Sequence, residues 1–207
     1  MIRRDIDGGF VRDIVNAGLS GLVRSFGAFV FNKRKLVFYR LGVVSVDERE
    51  WSCPKGIKAA IFDDLRQIPE KLRKEVFGRG WVNVLYFRLM RKKAQVVVLT
   101  SDTGECVGYG WIQDWGLFRR LFKCVGDVDY MVGPGWIHPD YRGRRLHPVL
   151  LAERLRYLSP KAGTVATFAD AWNIASIRGI ERVGFQWWGD VEMFRVFLVF
   201  RWARRIR

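Results

Sequence analysis

Strands are the commonest elements that the hydrophobic pattern of this chain predicts. Six segments are rich in β-branched and aromatic residues, many of them at every second position, which is typical of strands. The predicted strands are residues 35–46, 95–100, 106–111, 127–137, 164–170 and 191–202. The second and third form a hairpin, because the intervening Ser101–Glu105 contains the Asp and Gly that tight turns favour. The fourth must bulge, end or splay at Gly133-Pro134-Gly135, because proline has no N–H for a sheet ladder.

Apolar residues at three- and four-residue spacing predict helices between these strands. The predicted helices are residues 10–31, residues 57–92 with a restart after Pro69, residues 146–158, and a segment that begins after Asn173. Three glycines weaken the first of them. Strands and helices therefore mix along the chain, and their order predicts an α/β fold built on one mixed sheet.

The chain is strongly basic, with 36 Lys and Arg against 21 Asp and Glu and a net charge of +15 over 207 residues. This charge favours an anionic partner, such as nucleic acid, an acidic membrane surface or a phosphorylated substrate, unless it is simply a solvated surface. No zinc finger or clustered basic-aromatic signature supports nucleic acid. Arginines beside apolar residues at both chain ends suit peripheral contact with an anionic membrane. They are Arg3, Arg4, Arg12, Arg24 and the run Arg201–Arg207.

Cysteines and histidines are too few and too scattered for a metal site or a disulfide framework. Cys53, Cys106 and Cys124 form no CxxC pair, which fits a reducing cytosol. Both histidines, His138 and His147, lie in one motif, so we expect no metal. No apolar run reaches the roughly 18 residues that span a bilayer, and the charged N-terminus argues against a secretory signal. We therefore expect a cytoplasmic protein, either free or peripheral at the inner membrane face.

Two segments carry the chemistry of the chain. Trp136–Leu151 runs from an apolar strand end through a proline and an arginine-glycine turn into an apolar helix. N–H groups in a first helical turn lack acceptors and the helix dipole favours an anion there, so this turn suits a pyrophosphate. In the second segment, Asn173 can cap a helix with Ser176 at its third position, and Gly184 can end it. Each of these capping features is common on its own.

Together, the two segments resemble the acyl-coenzyme A core of the GCN5-related N-acetyltransferases (GNATs). The resemblance covers about residues 35–200. It implies a mixed, mostly antiparallel central sheet with splayed strands, flanked by helices, in a single domain 35–207 after an amphipathic extension 1–34. It also implies acetyl-CoA as the cosubstrate. The implied acetyl-CoA contacts are Trp136, Ile137, His138, Arg142, Gly143, Arg144, Arg145, Leu146, His147, Asn173 and Ser176.

The chain departs from the family's pattern at three positions. The phosphate turn usually reads Arg-Gly-x-Gly-x-Gly, whereas Arg145 and His147 replace its later glycines here. Backbone N–H groups survive such replacement, and the arginines of the turn can meet phosphates directly. Pro148 has no N–H, so the donors must come from residues 143–147. Ile180 stands where many relatives carry a tyrosine that protonates the leaving thiolate, so that role is vacant, filled from elsewhere or left to water.

Acyl transfer to an amine needs a group that accepts the amine proton. Asp127 and Asp129 are the candidate bases, because alternation places both on one face of the strand before the turn, and Tyr130 lies next to them. Asp129 is closer to the Gly-Pro-Gly break, where the acceptor should arrive. The alternative for either aspartate is a salt bridge to an arginine, and this alternative fits Asp127 better than Asp129.

The predicted function is acyl-CoA-dependent N-acetyl transfer to a primary amine. The amino-acid sequences of both segments also resemble a branch of this family that is associated with bacterial surface-polysaccharide gene clusters. That likeness implies an amino sugar, nucleotide- or lipid-linked, as the acceptor. The alternatives are a protein or peptide amine, or a degenerate module that binds an acyl-CoA or a polyanion without turnover. We expect no nucleic-acid partner, and a homodimer is an open alternative to a monomer.

Overall fold

One eight-stranded sheet forms the centre of the fold, and the computed structural model describes residues 31–42, 51–77, 94–196 and 200–207. The strands are β1 (Phe31–Gly42), β2 (Ile57–Phe62), β3 (Ala94–Ser101), β4 (Cys106–Asp114), β5 (Tyr130–Ile137), β6 (Thr164–Asp170), β7 (Gln186–Val196) and β8 (Phe200–Arg205). Their spatial order is β2-β3-β4-β5-β6-β1-β7-β8. All neighbours are antiparallel except β5 and β6, which are parallel. The predicted mixed, mostly antiparallel sheet is thus confirmed.

The described part of the chain contains three α-helices, α1 (Glu70–Phe77), α2 (Leu146–Leu158) and α3 (Ile174–Arg182). α1 begins directly after Pro69, where the sequence predicts a restart, because proline fits a helix start better than a helix interior. α2 packs on β3, β4 and β5 and also contacts α3, which lies against β6. The two longer helices therefore flank the junction of β5 and β6.

Both faces of the sheet are covered by apolar side chains. Leu150, Leu151 and Leu155 of α2 are buried against one face. On the other face lie α1 and an aromatic segment at residues 115–125. Burial of each large apolar side chain contributes about 1.5–3 kcal/mol, so these layers hold the helices firmly against the sheet.

The prediction of a helix from residue 57 is wrong. Residues 57–62 form β2, which pairs antiparallel with β3 and places Ile57 opposite Ser101. Ile57 and Ile61 are four residues apart, which suits a helix, but they also suit strand alternation, and so short a run cannot decide between them. The pairing with β3 decides. Residues 78–92 of the predicted helix lie outside the described residues.

Two predicted strands differ from the observed ones. Residues 191–202 belong to two strands, β7 and β8, which pair antiparallel with Val196 opposite Phe200. The linking residues 197–199 contain none of the typical turn residues, so the pattern hides the reversal. β5 begins at Tyr130, so Asp127 and Asp129 precede this strand instead of sharing one of its faces.

The first strand also begins earlier than predicted. β1 starts at Phe31, inside the segment assigned to the N-terminal extension. Residues 1–30, which contain nearly all of the first predicted helix, and residues 43–46 of the predicted strand lie outside the described residues. Among the helices that the structure describes, none is long and apolar enough to cross a membrane.

Candidate functional site

The parallel strands β5 and β6 separate shortly after they meet. Over their described lengths they pair through residues 130–131 and 165–166, and then both strands continue apart. Where they separate, the Thr167 hydroxyl donates to the Val132 carbonyl oxygen at 2.7 Å. The splay opens a cleft of about 200 Å³, lined by residues 132–135 of β5, by 167–170 of β6 and by side chains of α2 and α3. Such openings at the carboxyl ends of parallel strands are common ligand sites.

A β-bulge in β5 borders the cleft. Trp111 of β4 faces both Gly133 and Pro134, which is the two-against-one pairing of a bulge. The predicted disturbance at Gly133-Pro134-Gly135 is confirmed, although the strand continues to Ile137. Pro134 has no N–H, so Gly133 and Gly135 are the residues of the bulge that carry a backbone donor.

The turn between β5 and α2 carries a row of free backbone donors. The N–H groups of residues 143–147 donate to no group in the described part of the chain. Gly143 has a φ of +78° and Arg145 a φ of +58°, both in the left-handed region. Left-handed residues just before a helix N-terminus turn successive N–H groups towards one anion. This turn can therefore hold a pyrophosphate.

Arg145 adopts a backbone conformation that usually requires glycine. The left-handed region costs an L-residue about 1–2 kcal/mol, which explains why the family usually carries glycine at this position. Arg145 is exposed and adds a cation beside the donors. An arginine at this position therefore strains the backbone of the turn but adds a positive charge to it.

The other arginines of the turn are partly held by the protein. Arg142 Nε donates to the Ile137 carbonyl oxygen at 3.2 Å. The Arg144 guanidinium lies 5.1 Å from the centroid of the Tyr141 ring. A second groove of about 520 Å³ borders the turn here, and its lining includes Arg144 and Lys71.

His147 lies between the turn and the cleft. Its imidazole points towards α3, where a Cβ atom on Gly179 would lie 2.6 Å from Nδ1. Nδ1 is buried and has no hydrogen-bond partner among the described residues. Burial and the positive charge of Arg154 lower the pKa of His147 to about 4, so the imidazole is neutral at pH 7.

The predicted caps of α3 are observed. Asn173 Oδ1 accepts the N–H of Ser176 at 3.2 Å. Gly184 has a φ of +97°, and its N–H donates to the Glu181 carbonyl oxygen at 2.9 Å. Asn173 and Ser176 also line the cleft, as does the buried side chain of Ile180. The alkyl group of Ile180 has no proton to give.

The remaining predicted coenzyme contacts surround the turn. Trp136 and Ile137 pack into the apolar layers on opposite faces of the sheet. Leu146 is 2% exposed, so it offers a ligand its N–H rather than its side chain. His138 Nδ1 accepts the N–H of Asp140 at 3.3 Å and begins the short helical turn 139–141.

The candidate bases lie in a different groove, of about 340 Å³, which contains Asp127, Asp129 and Tyr130 and shares no lining residue with the cleft. Asp129 Oδ2 accepts the N–H groups of residues 163 and 164, both at 2.8 Å. Asp127 Oδ1 pairs with Arg119 Nε at 3.1 Å. The structure therefore gives both carboxylates partners within the protein, and their role in the chemistry stays a prediction.

Three charged groups in the cleft were not predicted from the sequence. Arg34 binds Asp170 with both of its arms, at 3.0 Å and 2.6 Å. These residues are 136 positions apart, and no local pattern joins them. Arg154 is 1% exposed. A signal for Arg154 was present, since it follows Leu151 by three positions on the apolar stripe of α2.

Several solved structures share this architecture, whereas no family model and no curated protein matches the sequence. A tandem GNAT protein from the clavulanic acid biosynthesis pathway matches with a TM-score of 0.58 and 16% identity, over 92% of this chain and 58% of its own. A GCN5-related N-acetyltransferase from Sphaerobacter thermophilus gives a TM-score of 0.56 and 17% identity, over 92% and 58%. A putative GNAT-family acetyltransferase from Novosphingobium aromaticivorans gives 0.51 and 17%, over 79% and 64%.

The chain has the GNAT fold. It spans about three fifths of the length of these structures, and the low identities establish a likeness of fold alone. Within this GNAT fold, the turn before α2 and the splayed cleft lie next to each other. Among the described residues, no cluster of His, Cys, Asp and Glu could hold a metal ion.

Proposed function

We propose that this protein is an N-acyltransferase that moves an acetyl or other short acyl group from acyl-CoA to a primary amine. The observation that carries the proposal is the junction of the splayed cleft with the free N–H groups of residues 143–147. His147 belongs to both parts, because its N–H is one of the donors and its side chain lines the cleft. A ligand with a pyrophosphate next to a slender chain fits this junction. The GNAT acetyltransferases among the structural neighbours support the same class of reaction.

Each part of acyl-CoA has a place in this proposal. The pyrophosphate lies on the N–H groups of residues 143–147, where the dipole of α2 favours negative charge. The arginines of the turn strengthen this binding through charge-assisted hydrogen bonds. The cleft of about 200 Å³ is small for a nucleotide and suits the narrow pantetheine arm. Arg144 and Lys71 line the neighbouring groove together with Glu75, Glu105 and Asp140, and we propose that the nucleotide end lies on the Arg144 side of it.

The reaction is a direct displacement at the thioester carbon. The neutral amine nitrogen forms a C–N bond, the C–S bond breaks, CoA leaves as a thiolate, and the amine proton passes to a base. For the oxyanion we propose a backbone N–H group at the bulge, from Gly133 or Gly135, as the donor. No nucleophilic side chain is needed.

Ile180 leaves the thiolate without an acid at the family's usual position. A thiol has an ordinary pKa of about 8.5, so a thiolate leaves near neutral pH without prior protonation far more easily than an alkoxide. The nearby hydroxyl of Thr167 already donates its proton to the Val132 carbonyl oxygen. In this proposal, water protonates the thiolate after the C–S bond has broken.

Asp129 is the proposed base, acting directly or through a water molecule. It precedes β5, the strand that carries the bulge, and its Oδ2 is occupied by two backbone N–H groups. Its Oδ1 accepts no hydrogen bond from the described residues and is the oxygen available to a proton. The proposal therefore assigns the two oxygens of one carboxylate different tasks.

For the acceptor, we propose an amino sugar, nucleotide- or lipid-linked. The amino-acid sequences of the two segments that resemble the acyl-coenzyme A core support this class, as does an exposed tryptophan beside the cleft. Trp172 is 73% exposed and lies between Asp170 and Asn173, which both line the cleft. Its indole offers an apolar face and an N–H to a ring that approaches from solvent.

The test is thiol release from acetyl-CoA in the presence of amino sugars, nucleotide-linked amino sugars, polyamines and peptides, with the acetylated product identified by mass spectrometry. We expect release with at least one amino sugar. Release with peptides alone would contradict the acceptor class and leave acyl transfer standing. Binding of acetyl-CoA without release for any amine would instead identify a non-catalytic acyl-CoA-binding module.

A further inference from the structure

A buried cation without a carboxylate partner lines the cleft. Arg154 of α2 is 1% exposed, and no carboxylate of the described residues forms an ion pair with it. Its Nε donates to the Leu150 carbonyl oxygen at 3.1 Å and its Nη1 to the Trp111 carbonyl oxygen at 3.3 Å. A guanidinium has five N–H donors, so most of them have no partner in the described part of the chain. A buried charge is costly unless it is paired and hydrogen-bonded.

The sheet leaves space for this guanidinium. Gly110 and Gly135 are cross-strand partners on β4 and β5. A Cβ atom at Gly110 would lie 2.8 Å from Cζ and Nε of Arg154, and one at Gly135 would lie 3.4 Å from Nη2. Nη2, which donates to no described group, is thus beside a residue of the cleft wall. Two glycines at one cross-strand position make this a site that accommodates an arginine.

The other charged and titratable groups of the cleft do not neutralise Arg154. Asp170 already binds Arg34 with both oxygens. His147 is neutral at pH 7, as described above. Burial lowers the pKa of Arg154 to about 9, so the guanidinium is still charged at pH 7. The cleft walls therefore carry a net positive charge.

We propose that Arg154 binds a carboxylate that a substrate brings into the cleft. This inference rests on the proposed function. Arg154 follows His147 by seven residues, so it lies about 10 Å along α2 from the pyrophosphate turn, towards the end of the cleft where the acyl group reacts. The carboxylate belongs either to the acyl chain, as in succinyl-CoA, or to the amine acceptor, as in a carboxylated amino sugar. A guanidinium fork binds a carboxylate with two parallel hydrogen bonds.

A purely structural role for Arg154 makes a different prediction. The bulge leaves Trp111 facing two residues, and Arg154 bonds its carbonyl oxygen. If that were the whole role, removing the guanidinium would weaken the fold and lower the affinity for every acyl-CoA equally. Discrimination between carboxylated and uncharged ligands separates the two roles.

The first experiment needs no variant. We measure dissociation constants of the full chain for succinyl-CoA and acetyl-CoA by calorimetry. In a second arm, with CoA present, we compare 4-aminobutyrate with propylamine and alanine with ethylamine. A carboxylate that meets Arg154 strengthens binding about ten- to a hundredfold in one arm. A preference in the first arm places the carboxylate on the acyl donor, and one in the second places it on the acceptor. Equal affinities in both arms overturn the inference.

Variants of Arg154 test whether a preference for carboxylated ligands comes from this residue. Arg154→Met should abolish it, Arg154→Lys should keep part of it, and Arg182→Met, which removes one exposed positive charge from α3, should leave it unchanged. A preference that persists in Arg154→Met overturns the inference. If Arg154→Met does not fold, the preference for carboxylated ligands is compared between Arg154→Lys and the wild type, and an undiminished preference in Arg154→Lys overturns the inference. Failure of both acyl-CoA ligands to bind contradicts the proposed function itself, whereas equal affinities within both arms contradict only this inference.

Discussion

The cleft and the groove around Asp129 differ in how their polar groups are used. Several polar groups of the cleft and its adjoining turn have no hydrogen-bond partner among the described residues. They are the N–H groups of residues 143–147, the Nδ1 atom of His147 and most N–H groups of the Arg154 guanidinium. In the groove, Asp129 accepts two backbone N–H groups and Asp127 pairs with Arg119. Both regions contain residues that the sequence marks as functional.

The comparison shows that polar groups in the cleft are left without partners in the protein, whereas the carboxylates of the groove already have them. Buried polar groups are normally paired, so the unpaired Nδ1 of His147 and the unpaired donors of the buried Arg154 point to a ligand that is bound during function. The Asp129 carboxylate, by contrast, already binds two backbone N–H groups of the fold. A base at Asp129 must therefore combine a structural task with a chemical one, whereas the turn before α2 is free for its ligand.

The largest expected effect tests whether Asp129 has both tasks. Asp129→Asn keeps an oxygen that can accept the N–H groups of residues 163 and 164, but it cannot take up a proton. We expect turnover to fall by about 10² to 10⁴, with acetyl-CoA affinity retained. Asp102→Asn in the β3–β4 turn is the matched control and should keep full activity. Turnover within a few-fold of the wild type would leave Asp129 with its structural task alone and direct attention to Asp127, Tyr130 or water.

The next largest effect tests the turn. Arg142→Glu reverses a charge beside the free N–H groups, and we expect the dissociation constant for acetyl-CoA to rise about ten- to a hundredfold. The exposed side chain of Arg142 makes one hydrogen bond to the described residues, to the Ile137 carbonyl oxygen, so the melting temperature without ligand should change little. Arg120→Glu makes the same charge change in an exposed position near the other groove. An equal loss of acetyl-CoA affinity in both variants would mean that the effect comes from the net charge of the protein and not from the turn.

A smaller effect concerns the pH dependence of stability. His147 titrates at about 6.5 in the unfolded chain and at about 4 in the folded protein, so between these values the unfolded chain binds more protons. The free energy of unfolding should therefore fall as the pH drops from about 6.5 to about 4, and the contribution of His147 should level off below that.

Urea titrations at pH 7, 5 and 4 measure this dependence. His147→Gln should remove it, whereas the same change at His138, the other histidine of the chain, should leave it in place. An identical pH dependence in His147→Gln and the wild type would contradict the assigned burial of this imidazole.

The smallest effect concerns membrane contact. Several C-terminal arginines are engaged within the protein, since Arg204 binds Glu192 and Arg205 lies over the Trp188 ring. Trp202 and Ile206 are nonetheless 46% and 40% exposed. We expect weak co-sedimentation with phosphatidylglycerol vesicles that fades as salt shortens the screening length from about 10 Å at 0.1 M to about 3 Å at 1 M. Protein that stays in the supernatant at low salt would contradict membrane contact.

Local constraints explain what the sequence revealed about this molecule. Pro69 and Asn173 mark helix starts, and Ser101–Glu105 marks a hairpin, because each acts on its immediate neighbours. The turn before α2 is equally local, so its free donors could be predicted residue by residue.

Non-local pairing explains what the sequence did not reveal. β2 is a strand because of β3, and the reversal between β7 and β8 carries no turn residue. In the site, Arg154 reaches the cleft because Gly110 and Gly135 meet across two strands. Only the register of the sheet brings such groups together, and a single sequence does not show that register.

Hydrogen exchange of the backbone amides with and without acetyl-CoA tests the central claim most directly. The free N–H groups of residues 143–147 should exchange fast in the protein alone and become protected when acetyl-CoA is bound. The amides of residues 163 and 164, which Asp129 already accepts, should be protected in both states. Protection of 143–147 that depends on acetyl-CoA and weakens in Arg142→Glu is the predicted result. Exchange at 143–147 that stays unchanged at millimolar acetyl-CoA would contradict a coenzyme site at this turn.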